Sequence, residues 1–296
     1  MKEKFFSLSD IKKTYEPVQD HIKTRKLIFQ YSVNQNDIRE TALDGLDLSE
    51  TELVLDLGCA YGFFTEKLAG RLKAHASITG IDVIDKANSR LFLSAVRSMG
   101  YRGEFLAGSA DCIEDMAPES FDLVVASYSL YFFPHLIGHI ARILRPGGVF
   151  ITITHTESSL QEVTGLISDS MRALGLEVPE EFAIGRLLKV FSLENGEEQL
   201  QPYFGRIEKI LFKNDLSFPR EHIDDCIDYL SKKRALLFKE LFEAGQRKGE
   251  EVMSVIYGTV RERAREGGAV VITKDDGVFR CYDPHPHACG RERGDL

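Results

Sequence analysis

An α/β fold with a mostly parallel sheet is predicted by three observations. From residue 53 to about 155 short apolar runs alternate with helical patterns, the run Leu53-Val54-Leu55-Asp56-Leu57 is almost wholly apolar, and it passes straight into a small-residue turn, Gly58-Cys59-Ala60-Tyr61-Gly62. A nearly continuous apolar run suits a strand covered on both faces, and alternating βα units supply that cover. Glycine and alanine in the turn let main-chain amides approach a ligand at the strand's end. The 296 residues, 43% apolar and 28% charged, leave enough chain for one large core or two.

Residues 9–46 read as helices: Pro17 sits like a first-turn proline, and Ile22, Leu27, Ile28 and Tyr31 give a rough apolar face. They are expected to pack over the ligand-binding edge of the sheet as a helical lid, residues 1–48. Five strands follow at 53–57, 77–82, 103–106, 121–126 and 149–154. Thr65-Glu66-Lys67-Leu68 continues the first turn as a helix, and 86–99 is a second helix with Gly100 where a left-handed cap belongs. Pro134 opens another helix through residue 144, which the turn Arg145-Pro146-Gly147-Gly148 stops before the fifth strand.

Beyond the fifth strand, Leu160, Val163, Ile167, Met171 and Leu174 fall at helical spacing, and 180–191 looks helical too. A sixth strand is expected at 206–212. Ser217-Phe218-Pro219 then starts a second helical insertion through 224–242 and 250–265. The run 269–273, the Asp276-Gly277 turn signal and the run 278–281 predict a closing antiparallel hairpin. The sum is a Rossmann-like, seven-stranded, mostly parallel sheet with a C-terminal antiparallel hairpin, N-terminal helices and helical cap insertions. The expected domains are the lid at 1–48, a ligand-binding core at 49–156, insertions and last strands at 157–283 capping an acceptor site, and a flexible tail at 284–296.

A net charge of −9 disfavours a broad nucleic-acid footprint. Five cysteines, an odd number without a C-x-x-C pair, point to reduced thiols. No apolar segment approaches the ~20 residues of a membrane span, and the charged start Met1-Lys2-Glu3-Lys4 lacks the apolar core of a secretory signal. A cytoplasmic protein without membrane contact is expected.

Two nucleotide-binding readings compete for the turn at Gly58. A dinucleotide fingerprint, G-x-G-x-x-G, needs its third glycine where this chain has Phe63. With Asp56 two residues ahead, the segment Asp56-Leu57-Gly58-Cys59-Ala60-Tyr61-Gly62 instead resembles the first motif of the class I S-adenosylmethionine-dependent methyltransferases. The acidic end of Ile78-Thr79-Gly80-Ile81-Asp82-Val83 is similar to that family's ribose-binding position, and Gly108-Ser109-Ala110-Asp111 to its adenine-contacting segment. Residues 121–127 resemble its fourth strand, and 139–148 the helix and turn before its fifth. Ala60 stands where the family more often has glycine.

The resemblance implies S-adenosylmethionine as cofactor and S-adenosylhomocysteine as product. Asp82 would accept from both ribose hydroxyls, Asp111, next to Ala110, from the adenine amine, and Val83 and Ile84 would pack on adenine. Backbone at Gly58 and Ser127 would hold the methionine part and Asp56 its ammonium, with Cys59, Ala60, Gly62 and Tyr128 completing the site. The bland alternatives are strand-end or helix caps for Asp56, Asp82 and Asp111, and packing for Cys59 and Cys112.

Methyl transfer asks mainly for in-line positioning and exclusion of water; a base is needed only where the acceptor arrives protonated. Candidate bases are Tyr131 and His135 after the fourth strand and His155 after the fifth. Tyr15 and Tyr31 line the lid or belong to its core. The tail from Cys281 to Cys289 fits no common zinc spacing, so no metal is expected. After the fourth strand, Ser127-Tyr128-Ser129-Leu130 lacks the prolines of base-directed methyltransferases and there is no Pro-Cys pair. The expected acceptor is therefore a small molecule methylated at oxygen or nitrogen, not nucleic acid; a homodimer is left open. Rival readings are transfer of another group from the same cofactor, cofactor binding without turnover, and a nicotinamide oxidoreductase.

Overall fold

The computed structural model describes residues 6–243 and 245–285. They form two compact units. The larger comprises residues 36–156, 190–212 and the described chain from 276. Its strands are β1 (Leu53–Leu57), β2 (Ser77–Asp82), β3 (Arg102–Ala107), β4 (Phe121–Ser127), β5 (Leu144–His155) and β6 (Phe204–Phe212), closed by the last strand of the chain. The smaller unit contributes β7 (Asp215–Pro219) and β8 (Ala269–Thr273), which makes that last strand β9 (Asp276–Pro284).

The sheet order is β3-β2-β1-β4-β5-β9-β6. β1 to β5 run parallel, and β9 is antiparallel to both β5 and β6. Sequence explains the order from the inside out. Val54, Leu55 and Leu57 of β1 and Leu123, Val124 and Val125 of β4 are buried on both faces, as a central strand requires. The edge strands carry charge instead, Arg102 and Glu104 on β3 and Arg206, Glu208 and Lys209 on β6, which blunts pairing with another chain. Helix Ala87–Ser98 lays Phe92 and Val96 into the same cluster as Val54, Ile78 and Val125. The chain runs outward from β1 through β2 to β3 and then returns to β4 on the other side of β1, so the strand order reverses between β1 and β4, the switch point at whose carboxyl ends ligands of such sheets bind.

The smaller unit comprises residues 6–35, 157–189 and 213–275. β7 and β8 pair antiparallel, and helices Val18–Tyr31, Gln161–Ala173, Ile223–Lys232 and Gln246–Gly267 bury Leu27, Ile167, Leu230 and Ile256. The Tyr31 ring lies tilted against that of Phe218, centroids 4.5 Å apart, and its hydroxyl donates to Asp225.

The five parallel strands and the antiparallel closing strand stand where the sequence predicts them. Three local expectations change. The run 269–273 pairs with β7 rather than folding back as a hairpin, and the antiparallel partner of β9 is β6. Asp276-Gly277 therefore opens a strand; Gly277 is small because a Cβ there would collide with Leu193. Ser217-Phe218-Pro219 ends β7, since Leu216 and Phe218 are buried on a two-residue period, and the helix starts only at Ile223. The compact units also cut across the expected linear boundaries at 48 and 156, because residues 6–35 group with 157–189 and 213–275. From Pro286 onward the expected tail, including Cys289, lies outside the described residues.

Candidate functional site

β1 ends at Leu57 and the chain reverses through three residues of positive φ: Gly58 (+71°), Ala60 (+46°) and Gly62 (+90°). Gly58 is demanded by space as well as by conformation, since a Cβ there would lie 2.5 Å from the Cβ of Ser129. Its N–H and that of Cys59 donate to the Ile81 carbonyl at 2.8 and 3.2 Å, tying the turn to β2. The Ser129 hydroxyl donates to the Leu57 carbonyl at 2.6 Å, tying it to the turn after β4.

Two carboxylates flank this turn. Asp82 accepts the Ala60 N–H on Oδ2 and the Ile84 N–H on Oδ1, each at 2.8 Å. One donor per oxygen leaves acceptor capacity on both. Asp56 is 2% exposed and accepts the Thr65 hydroxyl at 2.6 Å. Burial pushes its pKa up to about 7, against the pull of the Thr65 hydroxyl and with help from the charge of Asp82. Burial also raises Asp82, against the Ile84 and Ala60 amides. Among the described residues neither carboxylate has a cationic side chain paired to it.

Asp56 and Val125 are register partners, so two residues further on Ser127 stands level with Gly58. The Ser127 Oγ is buried and has no hydrogen-bond partner, a state that buried hydroxyls rarely keep. Ile84, Ala110 and Cys59 are buried, and Val83 is half-buried. Phe63 lies under the Arg39 guanidinium at 4.0 Å, and its carbonyl accepts from Arg39 Nη1 at 2.6 Å.

The candidate bases part company. His135 Nε2 is 2.9 Å from Asp111 Oδ1, an exposed pair whose aspartate also takes the Ser109 hydroxyl at 2.7 Å. His155, the last residue of β5, meets Asp276, Tyr128 and Tyr131 instead. Asp276 and Ser129 carry no role in the sequence reading. Asp276 was hidden because an Asp-Gly pair signals a turn, and Ser129 matters only through the space it takes from Gly58. Burial pushes the Cys226 thiol up to about 12 and raises those of Cys59, Cys112 and Cys281, so none of these four is poised as a thiolate nucleophile. No helix among the described residues is long and apolar enough to cross a membrane.

Residues 54–148 match a family model described as a methyltransferase domain. Over these residues the chain carries a methyltransferase domain. That domain spans the turn, both carboxylates, Ser127 and Tyr128; His155 and Asp276 fall outside the matched segment. The chain is 33% identical over 98 residues to a 23S rRNA (uracil(1939)-C(5))-methyltransferase of Haemophilus parainfluenzae, covering 33% of this chain and 21% of that protein. It is 28% identical over 116 residues to the ubiquinone biosynthesis O-methyltransferase of Paracidovorax citrulli, covering 38% and 48%. The chain thus spans between about a fifth and a half of these relatives' length. In fold it is similar to the crystal structure of the [4+2]-cyclase SpnF, with a TM-score of 0.51 at 15% identity over 92% of this chain and 94% of that one. A methyltransferase-type sheet therefore also serves a protein named for another reaction, so activity has to be argued from the site.

Proposed function

We propose that this chain is an S-adenosylmethionine-dependent methyltransferase that methylates an oxygen or nitrogen atom of a small-molecule acceptor by direct in-line displacement, releasing S-adenosylhomocysteine. The observation that carries the reading is the pair of carboxylates, buried Asp56 and half-buried Asp82, beside a glycine-containing turn, with no cationic side chain paired to either among the described residues. Such a site fits a ligand that brings its own positive charge and hydroxyl donors, and it repels a pyrophosphate. Phe63, held by Arg39 where a dinucleotide turn needs glycine, points the same way.

When bound, the cofactor supplies a methyl group made electrophilic by the sulfonium. In this reading Asp56 pairs with the ammonium and Asp82 accepts from the ribose hydroxyls. Val83 and Ile84 pack on adenine, with Ala110 and Asp111 at its edge. Ser127 gives its orphan hydroxyl to the methionine part, and Gly58, Cys59, Ala60 and Gly62 let the main chain come close. Positioning and exclusion of water supply the rate.

A small acceptor is supported by the net charge of −9, which opposes a polyanion, and by the likeness to a ubiquinone biosynthesis O-methyltransferase. Carbon 5 of uracil, the target of the ribosomal RNA relative, has no lone pair to offer, so its methylation calls for covalent activation by a nucleophile. The raised thiols of Cys59, Cys112, Cys226 and Cys281 speak against that chemistry here. Calorimetry with S-adenosylhomocysteine on the wild type and on Asp82→Ala tests the proposal: tight binding that the substitution weakens is expected, and unchanged affinity sinks it.

A further inference from the structure

His155 closes β5 and Asp276 opens β9, and the two are cross-strand partners. Their side chains meet, with Nδ1 of His155 2.6 Å from Oδ1 of Asp276. The other carboxylate oxygen, Oδ2, accepts the Tyr128 hydroxyl at 2.7 Å. The Tyr128 and Tyr131 rings lie 4.8 and 6.0 Å from the imidazole, centroid to centroid. The histidine side chain is 17% exposed and that of the aspartate 6%.

An ionised carboxylate only accepts hydrogen bonds. Facing one, Nδ1 of a neutral imidazole carries the proton and Nε2 keeps the lone pair, which is the tautomer of a general base. Tyr128 fixes the carboxylate from its far side. Burial and the neighbouring Asp276 hold that phenol protonated well above its ordinary range, with smaller contributions from Tyr131 and Asp37, so Tyr128 donates rather than acts as base. Tyr128 is itself bent, at φ +55°, a conformation that a bulky residue adopts rarely and mostly at functional sites. Its N–H donates to Ile153 at 2.8 Å, and the next residue is the Ser129 that packs on Gly58. The imidazole is thereby tied, through Asp276 and Tyr128, to the donor turn.

Resting on the methyltransferase reading, we propose that His155 is the general base of the reaction, with Asp276 and Tyr128 as positioning residues, and that the acceptor arrives carrying the proton to be removed. That makes the substrate class a phenol, another acidic hydroxyl or a protonated amine, as opposed to a tertiary amine or a thioether. The acceptor's O–H or N–H bond breaks and its proton goes to Nε2 of His155. The acceptor lone pair forms the new bond to the methyl carbon while the carbon–sulfur bond breaks, its electron pair staying on the now neutral sulfur. The imidazolium, stabilised by Asp276, returns its proton to water. Among the described residues, Asp276, Tyr128 and Tyr131 are titratable groups that face His155.

A clip that merely joins β5 to β9 would have the same contacts, so the test reads proton location and rate as well as folding. In the S-adenosylhomocysteine complex of the whole chain, 15N-labelled histidine NMR is expected to show His155 as the Nδ1–H tautomer, a preference that Asp276→Asn abolishes. Turnover is then measured with catechol, 4-hydroxybenzoate, benzylamine, trimethylamine and dimethyl sulfide. Methylation of a protic acceptor is expected, with kcat reduced about 100-fold or more in His155→Gln at unchanged product affinity, and with loss of the acid limb of the pH profile. The inference is overturned by an Nε2–H tautomer in the wild type, by a His155→Gln kcat within about threefold of wild type, or by a wild type that methylates no protic acceptor. Failure of the cofactor reading shows separately, as a wild type that does not bind S-adenosylhomocysteine.

Discussion

The turn after β1 and the pair joining β5 to β9 lie in one compact unit, yet the chain supplies them in opposite ways. The turn is local backbone: residues 56–62 take up three positive φ angles in a row of five positions, and one distant side chain, Asp82, locks them. The pair is long-range side-chain chemistry, His155 and Asp276 meeting across 121 residues because two strands share a register. A site made of backbone tolerates few substitutions and fails through its shape. A site made of side chains can be emptied of its chemistry while the fold stands. That contrast predicts different responses to mutation: changes in the turn should cost stability and cofactor affinity, whereas changes in the pair should cost kcat alone.

Gly58→Ala is expected to do the most damage, because it strikes the fold as well as turnover. The added methyl group meets Ser129 at 2.5 Å, and the residue must hold φ +71°. Strain and overpacking of this kind cost about 1–3 kcal/mol of stability. A shift of the turn by even ~1 Å removes roughly 100-fold of turnover. Thermal unfolding and calorimetry with S-adenosylhomocysteine check both. A variant with wild-type melting and affinity shows that the turn yields, and the contrast with the dyad then collapses. Asp82→Ala comes next. It removes hydrogen bonds to a charged acceptor, worth about 1.5–3 kcal/mol each way, so affinity should fall roughly 10- to 100-fold, with Asp82→Asn falling less because an acceptor oxygen remains to hold the Ala60 amide.

The same contrast explains what could be read from the sequence. The central strands were legible because burial on both faces leaves an apolar run, and the turn because positive φ selects glycine at 58 and 62, with a small alanine between them. Asp56, Asp82 and Ser127 then followed from their distance to the turn. Asp276 was not legible, since its role depends on which strand lies beside β5. Only the register, with Gly277 fitting under Leu193, turns an apparent hairpin turn into the start of a strand. The alternation Leu216-Ser217-Phe218 was equally readable as the entry to a helix, because three residues are too few to separate a period of 2 from one of 3.6.

Asp56 offers a smaller, pH-resolved test. Its pKa of about 7 in the fold lies above the ~3.9 of an unfolded aspartate, because burial penalises the charged form. The stability it contributes is therefore fully present below the unfolded value and lost as pH rises through about 7. The ligand-free protein should melt progressively lower between those limits, and Asp56→Asn should flatten the trend. An ammonium placed beside Asp56 favours the ionised carboxylate, so binding of S-adenosylhomocysteine near pH ~6 should release a proton. Binding enthalpies that differ between phosphate and Bis-Tris buffers in the wild type, and converge in Asp56→Asn, are the expected result. Equal enthalpies in the wild type would take Asp56 out of the site.

The smallest effect belongs to the other histidine–aspartate pair, and it sharpens the comparison most. His135 and Asp111 are as close as His155 and Asp276, at 2.9 against 2.6 Å, but their side chains are 56% and 52% exposed. Water screens such a pair, which contributes about 0–1 kcal/mol, and the other Asp111 oxygen takes the hydroxyl of exposed Ser109 where that of Asp276 takes the half-buried phenol of Tyr128. His135→Ala should leave the melting temperature and the pH dependence of kcat unchanged. Asp111→Ala should alter affinity for S-adenosylhomocysteine only a few-fold, with kcat intact. An acid limb that disappears in His135→Ala and survives in His155→Gln would move the base to the exposed pair. Burial and the second partner on Asp276 would then have no bearing on which histidine takes the proton.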